Sequence, residues 1–222
     1  MRCGALHRTD NTTFGGMEEM KLNENTYRGE ARVIRRHGGP GMYGHCVLEV
    51  EATGIGSGFV FENGVVGGAI PGSYIPDIKT GVEDAMRCGI LAGFPVVDVK
   101  VTVVDGSYHE VDSNSLAFRQ AGAQAFKDAC TRAPLVILEP IAELEVSTPD
   151  EYIGAVMGDI NRRRGQVQDT DGTTVRALVP LAETFGYASD LRGMTQGRAH
   201  FTLTPKTYAE VPMSIQEQLV AR

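Results

Sequence analysis

Three short stretches carry most of the side chains that could do chemistry. GSYHEVDS sets Ser107, Tyr108, His109, Glu110, Asp112 and Ser113 beside a turn, so an imidazole stands close to two carboxylates. Taken as isolated residues, they read as a helix-cap cluster more readily than as a catalytic site. RVIRRH (Arg32, Arg35, Arg36 and His37) runs into the glycine-rich GGPGMYGH, and NRRRG holds Arg162, Arg163 and Arg164. On charge alone, both basic clusters read as a solvated face or a helix end. His37, His45 and Cys46 have neither the spacing nor the fourth ligand of a metal site. The sequence shows no nucleophile–base pair and no cofactor fingerprint, which counts against a metabolic enzyme or a small-ligand sensor.

Composition sets the outer limits. The chain has 222 residues, of which 42% are hydrophobic, enough for one or two packed domains. Its net charge of -7 argues against binding nucleic acid over the whole surface, yet allows local basic patches. No apolar run is long enough to span a bilayer, and the N-terminus lacks a stretch of signal-peptide type. A cytoplasmic protein with no membrane partner is the expectation. The cysteines at 3, 46, 88 and 130 form no CxxC pair and read as reduced, mostly buried thiols.

Periodicity outlines the elements that must hold these residues. Residues 1–27 show no clear period and read as a tail or the remnant of a preceding domain. HCVLEVEA predicts a strand, and the glycine-rich stretch from 54 to 72 reads as turns. Ile78, Val82, Ala85 and Met86 then fall at helical spacing. Val97, Val99, Val101 and Val103 alternate with polar residues in a strand, with Asp105-Gly106 as its turn. Asp112 or Ser113 can cap a helix to about Arg132, with Leu116, Ala123, Phe126 and Cys130 on one face.

A second unit begins near Leu138 with the strand-like LEPIAELEVSTP. Thr148-Pro149-Asp150-Glu151 carries helix-start signals, with Thr148 as the cap and Glu151 reaching back to it. Ile153, Val156, Met157 and Ile160 form a clean apolar stripe, and the arginines at 162–164 suit the helix C-terminus before Gly165. Two strands joined by Asp171-Gly172, a helix through FGYASDLRGMTQG and a last strand, RAHFTLTP, follow. The order β-α-β-β-α-β is the split βαβ, or ferredoxin-like, arrangement.

Five collinear blocks resemble translation elongation factor G: GGPGMYGH, GGAIPGSYIPDIKTGVEDA, LAGFPVVDVKVTVVDGSYHEVDSNSLAF, LEPIAELEVSTPDEYIGAVMGDINRRRGQV and VPLAETFGYASDLRGMTQGRAHF. The resemblance implies an α+β chain of two domains. Residues 28–137 look like domain IV, whose core is similar to the second domain of ribosomal protein S5 and holds a left-handed crossover. Residues 138–222 look like the ferredoxin-like domain V. In the family, domain IV reaches the decoding region and occupies the A site as transfer RNA and messenger RNA advance, while domain V lies near the factor-binding centre of the large subunit.

Two loops form the tip of domain IV in that family. The resemblance maps them here to Gly38, Gly39, Gly41, Tyr43 and Gly44, and to Ser107, Tyr108, His109 and Ser113, with His109 at the family's tip histidine. Glycine backbone can approach RNA closely, and Tyr43, Tyr108 and His109 can stack on or hydrogen-bond to unpaired nucleotides. Arg35 and Arg36, and with them Arg162, Arg163 and Arg164, are candidates for sequence-independent phosphate contacts. The complete family member is a GTPase that binds GTP and magnesium. This sequence contains neither GxxxxGK[ST] nor Asn-Lys-x-Asp, so no cofactor and no GTPase activity are expected of it. The expected partner is the ribosome and the expected state a monomer. A stand-alone ribosome-binding regulator and a ribosome-protection protein are alternative readings.

Overall fold

A computed structural model describes residues 19–22, 25–35, 41–90 and 93–220. Of the expected tail, residues 1–27, positions 1–18 lie outside the described residues, whereas 19–22 form a strand and 26–27 open the next one. The elements are β1 (Glu19–Leu22), β2 (Thr26–Arg35), β3 (Met42–Ala52), β4 (Phe59–Asn63), α1 (Ile75–Cys88), β5 (Val99–Ser107), α2 (Ser115–Arg132), β6 (Leu135–Ser147), α3 (Asp150–Arg162), β7 (Gln166–Thr170), β8 (Thr174–Pro180), α4 (Tyr187–Thr195), β9 (His200–Glu210) and α5 (Met213–Val220). They fall into two compact units, divided between Ile137 and Leu138, with residues from Pro212 onward clustering with the first.

In the first unit, β-branched alternation builds a sheet ordered β2-β3-β5-β4. Val99, Val101 and Val103 are fully buried on one face, as their period-two spacing requires. β4 runs parallel to β5, and α1 makes the crossover between them. The expectation of turns throughout 54–72 is corrected here: β4 is five residues long and flanked by glycine, too short to show a period. Asp105-Gly106 is not a turn either. Both lie inside β5, where a register shift between Val47 and Leu48 accommodates the extra residue as a bulge.

The helices cover one face of this sheet. Ile78, Val82, Ala85 and Met86 are buried along α1, as their spacing predicts. On α2 the inner face is set by Ala117, Phe118, Ala121, Ala125 and Phe126, whereas Leu116 is 55% exposed, against expectation. α2 lies almost backbone on backbone over β2 and β3. A Cβ on Gly29 would stand 2.1 Å from the Ala125 carbonyl oxygen, and one on Gly44 would stand 2.7 Å from the Ala117 carbonyl carbon. α5 is tied back by Gln216, whose Nε2 donates to the Leu135 carbonyl at 2.9 Å.

The second unit has the expected ferredoxin-like order, with strands arranged β9-β6-β8-β7 and every neighbour antiparallel. Val156 and Ile160 of the α3 stripe are fully buried against Leu144, Val146, Val175 and Val179. Both predicted ends of α3 need correction. Thr148 makes no side-chain cap; Pro149 stands at the cap and the buried Thr148 hydroxyl has no partner. At the other end Arg164, not Gly165, takes the left-handed backbone conformation, with φ of 59°. Gly165 instead packs under Ile160 and Val179.

Cys46 and Cys130 are buried free thiols, and burial pushes each up to about 12. Cys3, one of the four cysteines expected to be reduced, lies outside the described residues. Among the described residues, no helix is long and apolar enough to cross a membrane.

Candidate nucleic-acid interface

The start of β3 and the loop after β5 meet at one end of the first sheet. The Tyr43 amide donates to the Asp112 carbonyl at 2.8 Å, and Tyr43 bridges Ser113 in parallel fashion. The second loop closes on itself. The His109 amide donates to Ser113 Oγ at 2.8 Å, and the Ser113 amide returns to the His109 carbonyl at 3.0 Å. His109 Nδ1 accepts from the amides of Val111 and Asp112 at 3.3 and 3.4 Å. The neutral ring therefore carries its proton on Nε2, a donor on a side chain that is 53% exposed. The rings of Tyr43 and His109 are 6.3 Å apart and tilted. Tyr108 and Val111 are exposed beside them.

Beneath these loops the polar groups are internally matched. Tyr43 Oη and Ser107 Oγ lie 2.8 Å apart, Ser107 Oγ and His45 Nδ1 also 2.8 Å, and His45 Nε2 and Glu30 Oε1 2.9 Å. Both nitrogens of His45 are thus engaged by protein groups. Gly44 is buried and its lack of a side chain is required by the close approach of α2, while a Cβ on Gly41 would fall 2.3 Å from the Asp112 carboxylate. The helix cap falls to neither Asp112 nor Ser113: Asn114 Oδ1 accepts from the Ala117 amide at 2.9 Å. Arg35 is exposed at the end of β2. Arg36, Gly38 and Gly39 lie outside the described residues.

The arginines at 162–164 belong to the second unit. Arg163 is nearly buried. It donates through Nε to Asp159 at 2.7 Å, through Nη1 to the Glu183 carbonyl at 2.7 Å, and to Asp190, and its guanidinium lies over the Tyr187 ring. Arg164 forms a bidentate pair with Glu139 at 2.7 and 2.8 Å and a third bond to Glu183 at 3.0 Å. Arg162 pairs with Asp159 but stays 70% exposed. Burial opposes ionisation of Asp159, yet the hydrogen bonds and charges of Arg163 and Arg162 outweigh it and hold the carboxyl below its ordinary 3.8. The Glu139 hydrogen bond, aided by Glu183, raises Arg164 above its ordinary value.

Sequence reasoning missed Tyr74, which stacks on Phe118 with centroids 4.6 Å apart and donates from its hydroxyl to the Ser113 carbonyl at 3.2 Å. It also missed Glu30 and His45 as supports of the loops. Tyr74 does stand in one of the recognised blocks, IPGSYIP, which is the signal that could have found it. No group of three or more His, Cys, Asp or Glu side chains among the described residues could hold a metal.

Residues 19–134 match the family described as elongation factor G, domain IV, and residues 136–219 match elongation factor G C-terminus. The chain is similar to a crystal structure of a protein from Thermus thermophilus, with a TM-score of 0.80 and 38% identity. That likeness covers 94% of this chain and 31% of the other, so the chain spans about a third of that protein's length.

Proposed function

Because this chain belongs to the elongation factor G family, we propose that it is the part of a translocation factor that contacts the ribosome, with the paired loops of the first unit as its RNA-facing tip. The observation that carries this reading is the junction of the two loops at Tyr43 and Asp112, which leaves His109 presented as an exposed donor. RNA recognition outside duplexes relies on splayed bases, 2′-hydroxyls and phosphate oxygens, and all of these accept hydrogen bonds. In the family this tip enters the A site beside transfer RNA and messenger RNA, and the second unit lies near the factor-binding centre.

Arg35 and Arg162 are the cations placed to meet phosphates without reading sequence. Arg163 and Arg164 direct their donors to carboxylates and a carbonyl of their own unit, so a structural role is assigned to them. GTP and magnesium bind in the family through fingerprints that this sequence does not contain, and no residue here is assigned to them. The site of action is the cytoplasmic ribosome, and the chain acts as a monomer.

Co-sedimentation with 70S ribosomes tests the reading, run at low and moderate salt with and without excess elongation factor G. Retention that the competitor abolishes is the expected result. No retention at either salt would overturn ribosome contact by this chain. Retention that the competitor leaves intact would place the contact away from the factor site.

A further inference from the structure

We propose that Tyr43, Ser107, His45 and Glu30 form a directional hydrogen-bond relay that positions the tip, with Tyr43 serving as its brace; the functional part of this rests on the ribosome-contact reading above. The direction follows from donor and acceptor chemistry. The Glu30 carboxylate only accepts, so His45 Nε2 carries a proton and donates to it at 2.9 Å. In the neutral ring Nδ1 is then bare and takes the Ser107 hydroxyl proton at 2.8 Å. Ser107 Oγ is left to accept, and the Tyr43 hydroxyl supplies the donor at 2.8 Å. Every group has one role, and no other assignment with a neutral imidazole satisfies all three contacts.

The placement of the relay explains what it controls. Glu30 lies on β2, Tyr43 and His45 on β3, and Ser107 at the last position of β5, so three strands are joined directly beneath the loops. His45 is directly opposite Ser107 in the β3–β5 register. At the outer end Tyr43 donates its amide to Asp112, on the same loop as His109. The position of Tyr43 is thereby passed to the exposed imidazole, whose ring stands 6.3 Å from its own. His45 is 8% exposed while Glu30 is open to solvent, so loss of the Ser107 hydroxyl would strand a buried ring nitrogen. Because the Tyr43 hydroxyl gives its proton to Ser107, it has no donor left to offer RNA.

Amide hydrogen exchange of the full chain, followed at Tyr43, reads the relay directly, with ribosome retention measured on the same samples. Tyr43→Phe should speed exchange of the Tyr43 amide about five- to tenfold, the effect of one lost hydrogen bond, and Ser107→Ala, which removes two, should speed it at least as much. Amides of α2 should stay at their original rates, which shows that the fold persists. Ser107→Thr keeps the hydroxyl and should restore slow exchange, and ribosome retention should rise and fall with the Tyr43 amide. Unchanged Tyr43 exchange in both Ser107→Ala and Tyr43→Phe would overturn the relay, as would failure of threonine to rescue. Faster exchange with undiminished retention would overturn its role in ribosome contact. If the unaltered chain is not retained at all, the ribosome reading falls, and the exchange data still decide whether the relay exists.

Discussion

The tip of the first unit and the arginine cluster of the second are both dense polar sites at the ends of regular elements, yet they direct their hydrogen-bonding capacity oppositely. Around Arg163 and Arg164 nearly every donor ends on Asp159, Asp190, Glu139, Glu183 or a backbone carbonyl of the same unit. At the tip, groups without a cation in the chain satisfy one another below, and His109, Tyr108 and Val111 face outward. The contrast teaches how to read a basic run. Arginines that find carboxylates at home act as staples, whereas a histidine held only through Nδ1 still has a free donor to offer.

The largest effect should come from breaking the staple. Arg163→Ala leaves Asp159 buried beside an emptied site and should cost about 3–5 kcal/mol in urea unfolding. A loss below about 1 kcal/mol would erase the distinction between the two clusters. Acid should weaken the same unit. The folded carboxyl of Asp159 titrates below its ordinary 3.8, so its stabilisation is complete above that value and disappears as pH falls through the lower folded one. Asp159→Asn should therefore flatten the acid limb of stability against pH, and an unaltered limb would remove Asp159 from the account.

Effects at the tip should be smaller in stability. Asn114→Ala deletes the α2 cap and should cost about 1 kcal/mol in thermal or urea unfolding. Asp112→Ala should cost less, since Asp112 does not cap; the reverse ranking would restore the original cap assignment. His109→Ala should change stability by no more than about 0.5 kcal/mol, because the side chain is exposed. It should nevertheless lower ribosome retention, and equal retention of both proteins would take His109 off the list of contacts.

The element order of the second unit was legible because each segment has a single strong period, as in the Ile153–Ile160 stripe or the alternation of the last strand. β4 was not legible, since five residues between glycines show no period, and the face of α2 was read correctly at Phe126 and Cys130 but not at Leu116, whose expected place inside is taken by Ala117 and Phe118. Loop residues of the tip could be named from short blocks of sequence. Their supports could not, because Glu30, His45 and Ser107 meet only once the register of three strands is known. The partners of Arg163 were hidden for the same reason, as Asp190 lies on a different helix from Asp159.

The seam between α2 and the sheet has a mechanical meaning. Where Gly29 and Gly44 bring main chain against main chain, no side-chain rotamers lie between the layers to be compressed or to slip. A load applied at Tyr43 passes along β3 into α2 as displacement of a single stiff body, with little lost to soft modes in between. Adding one methyl group at Gly44 would drive it into the main chain of α2 at Ala117, and strand and helix would have to part before the seam could close.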